Sequence, residues 1–168
     1  MSEKDLREMI EAASQFCAKQ FARKGEVLPL WHAVAGDGEQ LILPPPCEAK
    51  DAAAALIRAL FELRDVRRYV YMSEAWTLAR RIEPDEFARI QHAGVSAHPE
   101  RVEVVMLMGE DRDCGQIMAE RRIVRPANRR AYLEPLRMLI DLPHVPRDST
   151  IRSEGRLIGL LPVRGTRQ

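Results

Sequence analysis

Residues 67–78 have the sequence RRYVYMSEAWTL, which is rich in the β-branched and aromatic side chains that favour a β-strand. Because successive side chains of a strand point to opposite faces, Tyr69 and Tyr71 lie on one face. The other face carries four apolar side chains and one carboxylate: Val70, Met72, Glu74, Trp76 and Leu78. We therefore predict that this segment is a central strand of a sheet.

Three segments around this strand have helical sequence patterns. Apolar residues recur every three or four positions from Leu6 onward, which predicts an amphipathic helix that ends near Gly25. Residues 51–64 combine consecutive alanines with an apolar stripe, so they predict a second helix. A third, short helix is predicted from Pro84 to Gly94, because proline suits a first helical turn and glycine suits a C-terminal cap.

Two pairs of segments are predicted to form β-hairpins. The first joins residues 27–34 to residues 40–43 across a glycine-containing turn. The second joins residues 101–109 to residues 116–125 across the polar turn at 110–115. That turn begins with the spacing of a calcium loop but lacks the closing glutamate, which favours a simple hairpin tip.

The sequence signals weaken after Pro126. Residues 131–140 have helical spacing, but Pro135 would remove a backbone donor from a helix, so only the part after Pro135 is predicted to be helical. Residues 156–163 are predicted to form a final strand.

The order of helices and hairpins favours an α+β fold with a mostly antiparallel sheet and helices packed on one face. A length of 168 residues and an apolar content of 46% are suited to one hydrophobic core, so residues 1–168 are predicted to form a single domain. The basic C-terminal part, residues 126–168, is either integrated in that domain or a looser extension of it.

Composition also indicates where the chain works. The longest uncharged runs are ten residues, about half of a membrane-spanning helix, and the first residues lack the apolar core of a secretory signal. The three cysteines have no paired spacing, which indicates free thiols in a reducing compartment. We therefore expect a cytoplasmic protein that does not contact a membrane.

The formal net charge of +1 conceals an uneven distribution. Residues 1–120 contain 15 basic and 21 acidic side chains, a net charge of −6, whereas residues 121–168 contain 11 and 4, a net charge of +7. The basic region 121–168 can contact nucleic acid, an acidic partner or the acidic part of the same chain. Arginine outnumbers lysine by 22 to 4, which is also the usage of a GC-rich genome.

Glu74 has an unusual position, because strand alternation places its carboxylate on the face predicted to be buried. A buried carboxylate must be paired, protonated or exposed in a cleft. One interpretation is a general acid or base lined by Trp76. The other is a structural carboxylate, held by an arginine such as Arg101 or Arg121 or located at a strand end.

His98 and Glu103 extend the catalytic interpretation. If their segment pairs with the central strand, both side chains can approach Glu74, and an imidazole with carboxylates can also ligate a metal ion. Glu74, His98 and Glu103 are therefore the catalytic candidates of a small hydrolase or nuclease, either metal-dependent or acid/base. No His-Glu-x-x-His or Cys-x-x-Cys motif accompanies them, so no metal site is assigned.

The motifs of the common enzyme classes do not occur in the sequence. Without a P-loop, a G-x-G-x-x-G or a G-x-S-x-G motif, most ATP, dinucleotide and serine-hydrolase functions are disfavoured, and we expect no cofactor. The first hypothesis is therefore a non-catalytic protein that binds another protein or a second copy of itself. Nucleic-acid binding by the arginine-rich C-terminal part is an alternative. The binding candidates are Trp76, Arg101, Arg121, Arg122, Arg125, Arg129 and Arg130.

Three short segments carry a resemblance. They are MSEAW at 72–76, HPERVEVV at 98–105 and EDRD at 110–113. Together they resemble a pattern found in small uncharacterised bacterial proteins of unknown function, and the similarity covers about residues 28–125. The resemblance implies no activity. It marks five positions for structural inspection: Glu74, Trp76, His98, Arg101 and Glu103.

Overall fold

Three helices and seven strands make up the part of the chain that the computed structural model describes, residues 3–113, 115–142, 160 and 161. The helices are α1 (Glu3–Lys24), α2 (Lys50–Leu63) and α3 (Pro84–Ala93), and α3 is followed by a 3₁₀ turn, Val95–Ala97. The strands are β1 (Leu30–Val34), β2 (Gln40–Leu43), β3 (Arg68–Leu78), β4 (Arg101–Asp111), β5 (Gly115–Val124), β6 (Tyr132–Leu133) and β7 (Arg137–Leu142). Within this described part, no helix has both the length and the apolar character needed to cross a membrane.

The β3 strand lies inside the sheet, as its sequence predicts. The strands are arranged in the order β2-β1-β3-β4-β5-β6, β7 also pairs with β5, and the pairings are antiparallel. β3 pairs with β4 along its whole length, from Arg68 opposite Asp111 to Leu78 opposite Arg101. The predicted α+β domain with a sheet built from hairpins is confirmed.

One face of the sheet is covered by α1 and is called the α1 face. Apolar side chains of α1 pack there against alternate residues of β3, β4 and β5. The helix lies close to β4 at Gly109, where an added Cβ would lie 3.0 Å from a methyl carbon of Leu6 and of Ile10. The absence of a side chain at Gly109 therefore allows α1 to lie this close to β4.

The opposite face is covered by α2 and is called the α2 face, which corrects the prediction that the helices share one face. Tyr69 and Tyr71 are buried there together with Trp31 and side chains of α2. The ring centroids of Trp31 and Tyr71 are 4.4 Å apart. The physical reason for the correction is that both faces of β3 are apolar or aromatic in its first half, so each face needs a cover.

Two leucines from far along the chain complete the cluster on the α2 face. Leu160 and Leu161 are buried against it, and the Leu160 backbone N–H donates to the Tyr69 hydroxyl over 3.4 Å. The Tyr69 hydroxyl in turn donates to the buried Glu110 carboxyl group over 3.0 Å. Residues 91 positions apart in sequence therefore meet in one polar contact beneath the cluster.

The segment after Pro135 is the strand β7, so the predicted helix is wrong. β7 pairs with β5, and Met138 packs against the core under α1. β6 pairs further along β5, and Pro135 lies in the interruption between the two short strands. Pairing the open N–H and C=O groups along β5 outweighs the helical spacing, because strand formation depends strongly on tertiary context. The predicted strand at 156–163 lies outside the described residues except at positions 160 and 161, which are not in a strand.

Candidate functional site

Glu74 lies where β3 emerges from beneath α1. The chain turns back after α1 ends at Lys24, and this turn brings Val27 next to β3. The Val27 backbone N–H donates to Oε1 of the half-buried Glu74 over 2.8 Å. Since a backbone donor in a partly buried turn needs a partner, this contact gives the Glu74 carboxylate a structural role.

Glu103 and Arg125 form an ion pair beside Glu74. Nε and Nη2 of Arg125 donate to the two Glu103 oxygens over 2.8 and 2.7 Å. The hydrogen bonds to Glu103, together with the charges of Glu103 and Glu74, raise the pKa of Arg125 further above its ordinary value. Arg125 therefore interacts with both carboxylates that the sequence identified, and each carboxylate already has a hydrogen-bond donor.

Trp76 is exposed at the end of the same face, although β3 is an interior strand. Its side chain lies opposite Glu103 in the pairing of β3 with β4, and the residue is 44% exposed. The Arg101 guanidinium carbon lies 5.0 Å from the indole centroid, a cation–π geometry. Nη1 of Arg101 also donates to the His98 backbone carbonyl over 3.3 Å.

We call these five residues the Trp76 surface: Glu74, Trp76, Arg101, Glu103 and Arg125. The sequence singled out all of them, and antiparallel pairing of β3 with β4 places them on one face. Alternation along the paired strands was sufficient to group the residues of β3 and β4, and the structure adds Arg125 from the end of β5.

His98, the third catalytic candidate, makes its side-chain contacts elsewhere. Glu74 lies opposite Val105, whereas His98 precedes Arg101, the first residue of β4. About 13 Å of strand therefore separates the partner of Glu74 from the start of β4. The structure brings Glu74 and Glu103 near a common arginine but does not bring the His98 ring into the same arrangement.

The His98 ring belongs to the Arg80 cluster, which we define as Arg80, Glu86, His98 and Glu100. Arg80 donates to Glu86 through Nη1 and Nη2 over 2.9 and 2.6 Å, and to Glu100 through Nε and Nη2 over 3.1 and 2.7 Å. Hydrogen bonds from Arg80 are the main cause that lowers the pKa of Glu86 to about 2, and they raise the pKa of Arg80.

Sequence reasoning missed the Arg80 cluster. Its members come from the segment after β3, from α3 and from the loop before β4. No regular spacing connects such segments, and their approach depends on where α3 lies. The only local signal is the acidic first turn of α3 after Pro84, which also suits the helix dipole and therefore does not indicate an ion-pair cluster.

Glu86, His98 and Glu100 offer ligand atoms within 4.8 Å of one another, a grouping that can hold a metal ion. The hydrogen bonds favour a structural role instead. Nδ1 of His98 accepts from the Glu100 backbone N–H over 3.1 Å, so the proton of the neutral ring is on Nε2, which lies 3.2 Å from Glu86. This tautomer leaves no lone pair for a metal ion or for a substrate proton, and Arg80 already supplies the cation between the carboxylates.

A cavity of about 250 Å³ opens beside the Arg80 cluster. Its lining includes apolar Ile90 and Ala93 of α3 and the polar side chains of Glu86 and His98. The volume is below the range of about 300–1,000 Å³ that is usual for ligand pockets. Because Glu86 and His98 are engaged in the Arg80 cluster, this small cavity has no free carboxylate or imidazole among its lining groups.

The pKa of Glu86 gives a direct test of the Arg80 cluster. Because the folded-state pKa, about 2, lies below the ordinary value of 4.5, this ion pair stabilises the fold above about pH 4.5 and loses that contribution as the pH falls towards 2. We expect R80Q to return the Glu86 pKa towards 4.5, measured by carboxyl ¹³C NMR titration. The matched variant R89Q, which changes an exposed arginine beside the same cavity, should leave it near 2; a Glu86 pKa that stays near 2 in R80Q would contradict the assignment.

The remaining predicted binding arginines lie outside the Trp76 surface. Nη1 of Arg121 lies 3.4 Å from the Ser14 hydroxyl, and Arg130 donates to the Ala22 backbone carbonyl, so both fasten α1 to the C-terminal half. The other two, Arg122 and Arg129, are exposed and form no hydrogen bond or ion pair within the described part of the chain. Part of the basic charge is thus used within the molecule.

The fold and site together define a class: an α+β protein with a covered antiparallel sheet and an exposed tryptophan–arginine surface at one end. Comparisons of this chain with known protein families, with curated proteins and with solved structures give no match. Function is therefore inferred from the geometry of the Trp76 surface and the Arg80 cluster.

Proposed function

We propose that this protein is non-catalytic and acts by binding another protein through the Trp76 surface. The observation that carries the proposal is the exposure of Trp76 on an interior strand, with Arg101 stacked against its ring. Tryptophan and arginine are enriched among the few side chains that supply most of the binding energy at protein interfaces. Trp76 belongs to neither core cluster of the described residues, so its indole ring contributes little to core packing.

The contacts of the catalytic candidates support a binding role over catalysis. Glu74 accepts the Val27 N–H, Glu103 is paired with Arg125, and the neutral His98 ring uses both nitrogens in hydrogen bonds. A general acid and a general base have to reach the same bound substrate. Three groups with separate partners are better suited to stabilising the local structure than to acting on one substrate.

The surface favours a protein partner over nucleic acid. Binding to single-stranded nucleic acid combines several stacking aromatic side chains with cations along the backbone. The Trp76 surface has one aromatic ring. Arg121 and Arg130 are engaged with α1, which reduces the charge available for counterion release.

We place this interaction in the cytoplasm. Cys17 is buried and Cys47 is exposed, and both are free thiols. Burial raises the pKa of the Cys17 thiol to about 12, so it is protonated and unreactive at neutral pH. An exposed thiol without a disulfide partner is ordinary in a reducing compartment.

Fluorescence quenching tests the exposure and charge of the Trp76 surface. Trp31 is 2% exposed and Trp76 is 44% exposed, so iodide should quench Trp76 alone. We expect W76F to abolish most iodide quenching and R101Q to lower the iodide quenching constant roughly twofold, because a nearby cation concentrates the anion. Quenching by neutral acrylamide is the control and should change little in R101Q. Equal iodide quenching in wild type and R101Q would contradict the stacked arrangement.

Partner capture tests the proposed function. Immobilised full-length protein should retain a partner from the native host, which is then purified and its affinity measured directly. We expect W76A to weaken that affinity at least about tenfold, the loss of a dominant interface side chain. The matched control is L63A, since Leu63 is an exposed apolar residue on α2, 80% accessible and distant in the fold from the Trp76 surface.

The control variants separate interface effects from folding. W76A and L63A should both keep the wild-type free energy of unfolding within about 0.5 kcal/mol, because each changes an exposed side chain. A purified partner that binds W76A as tightly as wild type would overturn the proposed function. Equal weakening by W76A and L63A would also overturn it, because the effect would not be specific to this surface.

A further inference from the structure

Resting on the proposed function, we infer that the partner presents an acidic segment to the Trp76 surface, placing a carboxylate on Arg101 and an apolar side chain on the indole of Trp76. Arg101 is held by two contacts. Its guanidinium lies over the indole, and Nη1 donates to the His98 carbonyl. These contacts restrict the position of the guanidinium before any partner arrives.

Arg101 keeps donors for a partner. A guanidinium carries five N–H donors in a rigid fork, and the one hydrogen bond that Arg101 makes among the described residues uses a single nitrogen. No carboxylate in that part of the chain forms an ion pair with it, in contrast to Arg125 and Arg80. A planar, stacked guanidinium with an open edge is suited to bidentate contact with a carboxylate.

The last turn of α1 adds basic residues beside the Trp76 surface. The Arg125 guanidinium lies 5.8 Å from the Phe21 ring, and Arg130 contacts the Ala22 carbonyl, so the last turn of α1 adjoins the Trp76 surface. That turn also contributes basic Arg23 and Lys24.

Arg101 is the cation of the Trp76 surface that lacks a carboxylate partner among the described residues. Glu103 is paired with Arg125, and Glu74 accepts the Val27 N–H. A carboxylate of an arriving segment therefore finds open donors at Arg101, and charge complementarity selects an acidic residue there.

The test uses defined probes with the full-length protein. The first probe is a short fluorescein-labelled peptide of glutamates with interspersed leucine and phenylalanine. The second replaces every glutamate by glutamine, and the third is a labelled single-stranded oligonucleotide of equal charge. Fluorescence polarisation measures each affinity at low and at moderate salt.

We expect the acidic peptide to bind about tenfold more tightly than its glutamine counterpart, and to weaken as salt rises. R101Q should remove most of this preference. The matched control is R58Q, which removes one exposed cation from α2 and should leave the preference unchanged. Circular dichroism spectra and unfolding midpoints of both variants establish that they are folded.

Three results would overturn the inference: equal affinity for the two peptides, tighter binding of the oligonucleotide than of the acidic peptide, or equal losses in R101Q and R58Q. Failure of this inference can be distinguished from failure of the proposed function. If the purified partner depends on Trp76 while R101Q leaves its affinity unchanged, the acidic-segment inference fails and the proposed function stands. If W76A leaves that affinity unchanged, the proposed function itself fails.

Discussion

Replacing Trp31 by alanine is expected to lower the free energy of unfolding by about 4 kcal/mol, because a fully buried aromatic side chain leaves a large cavity when truncated. Trp31 is 2% exposed, its ring lies against Tyr71, and its cluster joins β1 and β3 to α2. That cost is a large fraction of the roughly 5–15 kcal/mol by which ordinary domains are stable. Urea unfolding followed by circular dichroism measures the change.

The matched variant is W31F, which keeps an aromatic ring in the cluster. Trp31 Nε1 has no hydrogen-bond acceptor among the described residues, so phenylalanine removes an unsatisfied donor while it loses some volume. We therefore expect W31F to cost less than half of what W31A costs. A W31A variant within about 1 kcal/mol of wild type would show that the indole is not part of a closely filled core.

Replacing Gly109 by valine is expected to destabilise the protein by about 3 kcal/mol, because the new side chain would collide with α1. A Cβ at this position would already lie 3.0 Å from methyl carbons of Leu6 and Ile10, and valine adds two further methyl groups. The helix must then move away from β4 and lose contacts along its whole buried side. G109A should cost less, since it adds only the Cβ.

A double variant distinguishes this collision from a general strand effect. I10V removes the Ile10 Cδ1 methyl, one of the two nearest atoms, and should recover part of the loss caused by G109A. The coupling is measured from the unfolding free energies of the four proteins in the cycle. Additive effects of the two substitutions would show that the close approach of α1 at Gly109 is not the cause.

The sequence predicted the elements of the sheet well because their signals are local. The alternation in residues 67–78 placed Val70 and Met72 on one face, and β3 has bounds within one residue of that prediction. The turn at 110–115 predicted the pairing of β4 with β5. Pro84 and Gly94 similarly marked the two ends of α3.

The incorrect predictions concern features that depend on tertiary contacts. Both faces of β3 are apolar near Tyr69, but alternation alone does not say which helix covers which face. The segment after Pro135 has a spacing compatible with a helix, yet it forms β7 because β5 offers an unpaired edge. Neither outcome is encoded within a window of a few residues.

The candidate site also contains residues that local sequence patterns could group and residues that only the tertiary structure places. Glu74, Trp76 and Glu103 could be placed on one face from strand alternation and hairpin pairing. The separation of His98 from them depends on the path of the loop after α3, and its partner Glu86 comes from another element. The sequence could therefore group residues across the paired strands β3 and β4, but it could not predict that the His98 ring contacts the Glu86 carboxylate.

The late position of Leu160 has a consequence for synthesis of the chain. Every described member of the cluster under α1 has been translated once Met138 is reached, so that face of the sheet can close early. The cluster around Trp31 and Tyr69 waits for Leu160 and Leu161. Until these two leucines are translated, the cluster lacks part of its cover, and chaperones and aggregation compete for the apolar surface that is left exposed.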